Sequence, residues 1–105
     1  MFSGGDYSEV ARWLGNFVNS HAKREHLSVE GQLEAEGARE GKSYGVRLRL
    51  GDRLLPAPDQ PAMELSFAEV AGSRGGMAWC HALAGRVRAL ARELAHASAA
   101  RDRSA

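Results

Sequence analysis

The chain contains one cysteine, Cys80, so no internal disulfide can form and a disulfide-stapled scaffold is excluded. Proline is confined to one stretch: Pro56, Pro58 and Pro61 all lie in "GDRLLPAPDQPA", and no proline breaks the pattern elsewhere. No apolar run approaches the ~20 residues that span a bilayer. The start, "MFSGGDYSEV", has no basic stretch leading into an apolar run, so it does not read as a signal peptide. Neither sign of charge is in excess. Fourteen Lys and Arg against 13 Asp and Glu leave +1, which gives no general attraction to nucleic acid or anionic membrane; either would need a local patch. A cytoplasmic protein without membrane contact is expected.

What is present is strong periodicity. A length of 105 residues suits one domain, expected over 6–97, with 1–5 and 98–105 as flexible termini. Asp6 followed by Glu9 resembles a capping box. Tyr7, Val10, Leu14, Phe17, Val18 and His21 then fall on one stripe of a helix. From Leu27 to Ala35 the period changes to two: Leu27, Val29, Leu33 and Ala35 alternate with polar residues, with Gly31 interrupting the apolar row beside a bulge or a large neighbour. After the two-glycine turn "GAREGK", Tyr44, Val46, Leu48 and Leu50 alternate with Ser43, Gly45, Arg47 and Arg49. A hairpin is expected. Leu33 falls opposite Val46, Glu30 opposite Arg49, and Glu34 diagonal to Arg47, so the acidic strand neutralises the basic one. The proline stretch is read as a connection that tucks Leu54 and Leu55 onto the core. Met63, Leu65 and Phe67 form a third strand, and Ser73 in "AGSRGG" is a plausible cap. Met77 to Ala97 is the clearest helix, with Cys80, Leu83, Val87, Leu90 and Leu94 at spacings of three and four.

The order α-β-β-β-α predicts an α+β fold. It is a two-layer sandwich in which a three-stranded antiparallel sheet carries both helices on one face and leaves the other to solvent. The helices then run parallel. A tryptophan of one meets small residues of the other, and the second tryptophan stays outside. Trp13, Trp79, Ala84 and Ala91 are thus the candidate interaction surface.

Chemistry-bearing motifs are absent. His21, His26, Cys80 and His81 lack metal-ligand spacing, and His21 reads as a hydrogen-bonded core histidine. Cys80 sits at a core position, and the carboxylates Glu30, Glu34, Glu36 and Glu64 lie on an open face without a cleft. No enzyme activity, metal or cofactor is expected. "GSRGG", with Ser73 and Arg74 before a helix, is a candidate anion site, although no Gly-Lys-Ser/Thr follows. The helix, three strands, helix order over Asp6 to Ala97 resembles that of double-stranded RNA-binding domains. That resemblance implies a lysine cluster at the start of the second helix with contacts from the first helix and hairpin. Here Arg39 and Lys42 occupy the hairpin turn and Arg74 alone precedes the second helix, so no binding role carries over. Arg86, Arg88, Arg92, Arg101 and Arg103 offer a separate basic strip. The expected function is a small protein-interaction module that can pair with itself as a homodimer. The alternative is a nucleic-acid-binding module using Arg39, Lys42, Ser73 and Arg74.

Overall fold

The computed structural model describes residues 6–104, with side chains as far as Ser98; Met1–Gly5, expected as a loose terminus, lie outside it. Asp6 Oδ1 accepts the Glu9 N–H at 2.7 Å, which satisfies a donor that the first turn of α1 (Tyr7–Glu25) leaves open. Val10, Leu14, Val18 and Ala22, one every four residues, are its buried positions. Lys23 and Arg24 close it, where the helix dipole favours cations.

Strands β1 (Glu30–Glu34) and β2 (Ser43–Leu50) pair antiparallel. Glu30 lies opposite Arg49 and Leu33 opposite Val46, the register that apolar alternation and charge both specify. Leu27, read as the first inward residue of this strand, is instead in the turn before it and 83% exposed. Between the strands a short 3-10 turn, Gly37–Arg39, opens on left-handed backbone at Gly37 (φ 68°) and is followed by a second left-handed residue, Gly41 (φ 77°).

The other neighbour of β2 comes in two pieces. β3 (Arg53–Leu55) pairs with its C-terminal half and β4 (Met63–Ser66) with its N-terminal half. The sheet therefore has four strands, not three. Gly51, at φ 65°, lets the chain reverse directly after β2, so Leu54 and Leu55 enter the ladder instead of a loop. The prolines then lead the chain out, having no N–H to donate. The Leu55–Pro56 bond is cis.

A further difference arises at Ser66. Its Oγ accepts the Glu69 N–H at 3.0 Å and starts a helix, so Phe67 and Ala68 leave the expected strand and open α2 (Phe67–Ser73). Ser73, expected to cap the long helix, is the last residue of α2. The long helix, α3 (Met77–Ser104), has 28 residues and continues past Ala97.

The class is α+β, with three α-helices and a four-stranded antiparallel sheet among the described residues. α1 packs on β1 and α3 on β2 and β3, and the two helices lie against each other. They run parallel: Trp13 meets Trp79 near their starts, and Glu25 meets Arg88 and Arg92 further along. Leu14, Val18, Leu83, Val87 and Leu94 from the helices share one core with Tyr44, Val46, Leu48 and Leu65 from the sheet. Gly31 is what brings α1 close, because a Cβ there would stand 2.8 Å from Val18 Cγ1. Beside it Asn19 Oδ1 accepts the Gly31 N–H at 2.6 Å, covering one donor of edge strand β1.

The opposite face of the sheet is not uniformly wet. Glu30 and Arg49 are exposed, but Arg47 is 9% exposed. The proline segment folds beneath it, and Arg47 Nη1 donates to the carbonyls of Pro56 (2.9 Å) and Ala57 (2.6 Å) while Nε meets Glu34 at 2.9 Å. The expectation of a fully solvated underside fails at this residue, because the connection returns across it.

Candidate functional site

Arg39 and Arg74, the two arginines among the candidate anion contacts, are already bound to carboxylates. Arg39 donates to both oxygens of Glu64 (3.0–3.1 Å) and reaches Glu34 at 3.2 Å, its guanidinium resting over Gly45, where a Cβ would lie 2.8 Å from Nε. The Ser43 hydroxyl donates to the same Glu64 carboxylate at 2.6 Å, and together Ser43 and Arg39 hold it below the usual range. Arg74 pairs with Glu9 at 3.1 Å. Lys42 is exposed, and its backbone carbonyl accepts from Phe67 N–H. Ser73 is half-buried, its carbonyl accepting from Gly76 N–H. All four residues sit at the end that also carries Asp6, Glu9, Glu36, Glu40, Glu64 and Glu69, so carboxylates outnumber the candidate cations Arg39, Lys42 and Arg74 there. Side chains beyond Ser98, Arg101 and Arg103 included, lie outside the described residues.

The tryptophans meet each other. Trp13 and Trp79 stack at 6.4 Å with 28° between planes, so the two meet each other and neither stands alone outside. The stack runs on along α1 through Phe17 (5.0 Å from Trp13) to His21 (4.5 Å from Phe17), the i, i+4, i+8 ladder of one helix flank. Trp79 Nε1 donates to Glu69 at 3.0 Å, which ties α3 to α2. Of the alanines, Ala91 is fully buried in the core and Ala84 half-buried, so Ala91 is not part of a surface. Cys80 is half-buried, its thiol donating weakly to the Arg74 carbonyl at 3.3 Å.

His21 departs from the sequence reading, since its Nδ1 is buried without a hydrogen-bond partner among the described residues. Burial, with Arg24 and Arg88 adding repulsion, lowers its pKa from the ordinary 6.5. Glu25, held by Arg92 and Arg88, and Glu64 are lowered from 4.5. The folded state thus binds fewer protons than the unfolded chain at all three groups. The melting temperature should be level from neutral pH to about 10, above which the raised Tyr7 and Tyr44 hydroxyls lower it, and should fall in two stages on acidification. His21 acts first, as pH drops below 6.5 toward its folded pKa, and the carboxylates act below 4.5. Melts across pH check this, and His21→Gln should remove the first stage only.

The feature that the sequence reading overlooked is the outer face of α3. Ala78, Ala82, Gly85 and Ala89, spaced four, three and four, are all exposed. Arg86 and Glu93, seven apart on one flank, are exposed and have no ion pair among the described residues. The heptad spacing was visible in the chain but was overshadowed by the stronger apolar stripe on the inner face. Among the described residues Leu94 is the last fully buried position of α3, Ala97 and Ser98 are half-buried, and the helix backbone continues to Ser104. Comparison with known proteins finds no matching family model, no matching curated protein and no matching solved structure.

Proposed function

We propose that the protein is a non-enzymatic protein-interaction module that pairs with a second copy of itself through the outer face of α3, antiparallel about a two-fold axis near Ala89. The observation that carries this is the heptad-spaced row of Ala78, Ala82, Gly85 and Ala89 flanked by exposed Arg86 and Glu93, which have no ion pair among the described residues. Short side chains let two helix backbones approach closely. Antiparallel pairing about Ala89 sets Arg86 of each copy beside Glu93 of the other, twice over by symmetry. It also lays the last turns of each α3 along the first turns of its partner.

Light scattering across a concentration series should show a monomer–dimer equilibrium. Arg86→Glu turns two attractive contacts repulsive. At roughly 1 kcal/mol per contact, the dissociation constant should rise about 30-fold. The double exchange Arg86→Glu with Glu93→Arg should restore pairing. A chain that stays monomeric at every concentration removes the proposal.

A further inference from the structure

We infer that the end of the molecule formed by the α1–β1 turn is a docking surface for anionic phospholipid membrane. Leu27 stands at the tip of that turn, 83% exposed. Around it the charge balance differs from the rest of the protein. Arg39, Arg47, Arg49 and Arg74 each have a carboxylate partner. Lys23 and Arg24 have none among the described residues, and the Lys23 ammonium instead donates to the Leu27 carbonyl at 3.1 Å, which fixes the turn beneath the leucine. Next to them Arg88 and Arg92 share the single carboxylate of Glu25, and exposed Glu93 offsets the charge that trio retains, so the surplus at this end is carried by Lys23 and Arg24. In the neighbouring turn Asp52 and Arg53 add no net charge. The near-neutral total therefore conceals a polarised molecule, with carboxylates gathered at the start of α1 and uncompensated cations at its close.

The leucine selects the partner. A nucleic-acid backbone would use the cations and leave Leu27 in water. A protein would have to supply a pocket shaped for a projecting side chain. A bilayer takes an aliphatic side chain at the boundary of headgroups and acyl chains without any matching cavity, while its anionic headgroups face the cations. No helix among the described residues is long and apolar enough to cross a membrane, so the contact is peripheral. It uses the tip of α1 rather than the outer face of α3 and does not depend on self-pairing.

The test is co-sedimentation of the full chain with phosphatidylcholine vesicles, with and without phosphatidylserine. Binding is expected only with phosphatidylserine and should weaken with salt. Leu27→Ser should lower partitioning roughly tenfold. Joint replacement of Lys23 and Arg24 by glutamine should lower it roughly 25-fold, about fivefold per cation. All three residues are exposed, and unchanged melting curves would show that the variants fold. Arg86→Glu should leave vesicle binding intact. The inference is overturned by binding that ignores phosphatidylserine, by no binding, by an unaffected Leu27→Ser, by loss in Arg86→Glu, or by duplex RNA being retained where vesicles are not.

Discussion

Tyr44→Ala should come close to unfolding the protein, at a cost of about 4 kcal/mol, as expected for truncating a large aromatic in a packed core. Tyr44 is the largest fully buried side chain. Its ring stacks on Tyr7 at 4.6 Å with 9° between planes, and Phe67 meets both rings edge-on. This cluster joins α1, β2 and α2. The two hydroxyls strengthen the joint. Tyr44 donates to the Tyr7 carbonyl at 2.8 Å, and the Tyr7 hydroxyl points among the carbonyls of Ala35, Arg39 and Ser43, nearest to Ser43 at 2.5 Å. Burial, with Tyr7 adding to it, pushes the Tyr44 hydroxyl up to about 12, so it remains a donor throughout the physiological range. For a domain of this size 4 kcal/mol corresponds to roughly 20 °C in melting temperature. Tyr44→Phe keeps the stack and loses one hydrogen bond, so it should cost about 1 kcal/mol. Thermal melts of the pair separate the two contributions. Near-equal losses would mean that the hydroxyl, not the ring, holds the cluster.

The sequence made some of this legible and hid the rest for identifiable reasons. The register of β1 on β2 could be read because two independent signals agree: a one-residue slip would turn apolar residues to the charged face and would also take Glu30 off Arg49. The cap at Asp6 and the inner stripe of α3 are local patterns and were equally plain. β3 was missed although Gly51-Asp52 is a two-residue hairpin signal, because the prolines behind it weighed toward a loop. α2 was missed because Met63, Leu65 and Phe67 keep a period of two across the strand end, and only Ser66 with Glu69 marks the change. The tryptophan stack was beyond reach. Helical phase gives the flank a residue occupies, whereas the meeting of Trp13 with Trp79 depends on the crossing and axial offset of two helices far apart in sequence. The candidate anion contacts failed similarly. Arg39 is 25 residues from Glu64 and Arg74 is 65 from Glu9, and no local pattern announces those pairs.

Arg47 shows most directly how a long-range contact overrides a local pattern, and Arg47→Ala should cost about 3 kcal/mol. By period alone it belongs to the polar face with Arg49, and Arg49 is exposed as that predicts. Two residues away, the guanidinium of Arg47 is enclosed because it serves the returning proline segment. Pro56 and Ala57 present carbonyls that the sheet cannot satisfy, since the chain has left the ladder, and one guanidinium nitrogen takes both. Nε is left for Glu34, which also holds Arg39. Truncation to alanine removes charge-assisted hydrogen bonds of roughly 1.5–3 kcal/mol each, partly recovered as water reaches the freed groups. Arg47→Met retains apolar bulk under the segment but no donor. If the hydrogen bonds dominate, methionine should rescue little of the loss; if packing dominates, it should rescue most. Arg47→Lys places one ammonium where a planar fork serves two sites, and should fall between wild type and alanine. Denaturant unfolding ranks the three variants. Hydrogen exchange at the Gln60 amide, which donates to Ala57 in the same segment, should rise in Arg47→Ala before global unfolding. Faster exchange there, with the β1–β2 amides still protected, would identify Arg47 as the clasp that fixes the proline segment across the sheet, whereas uniform loss would make it a support of the sheet itself.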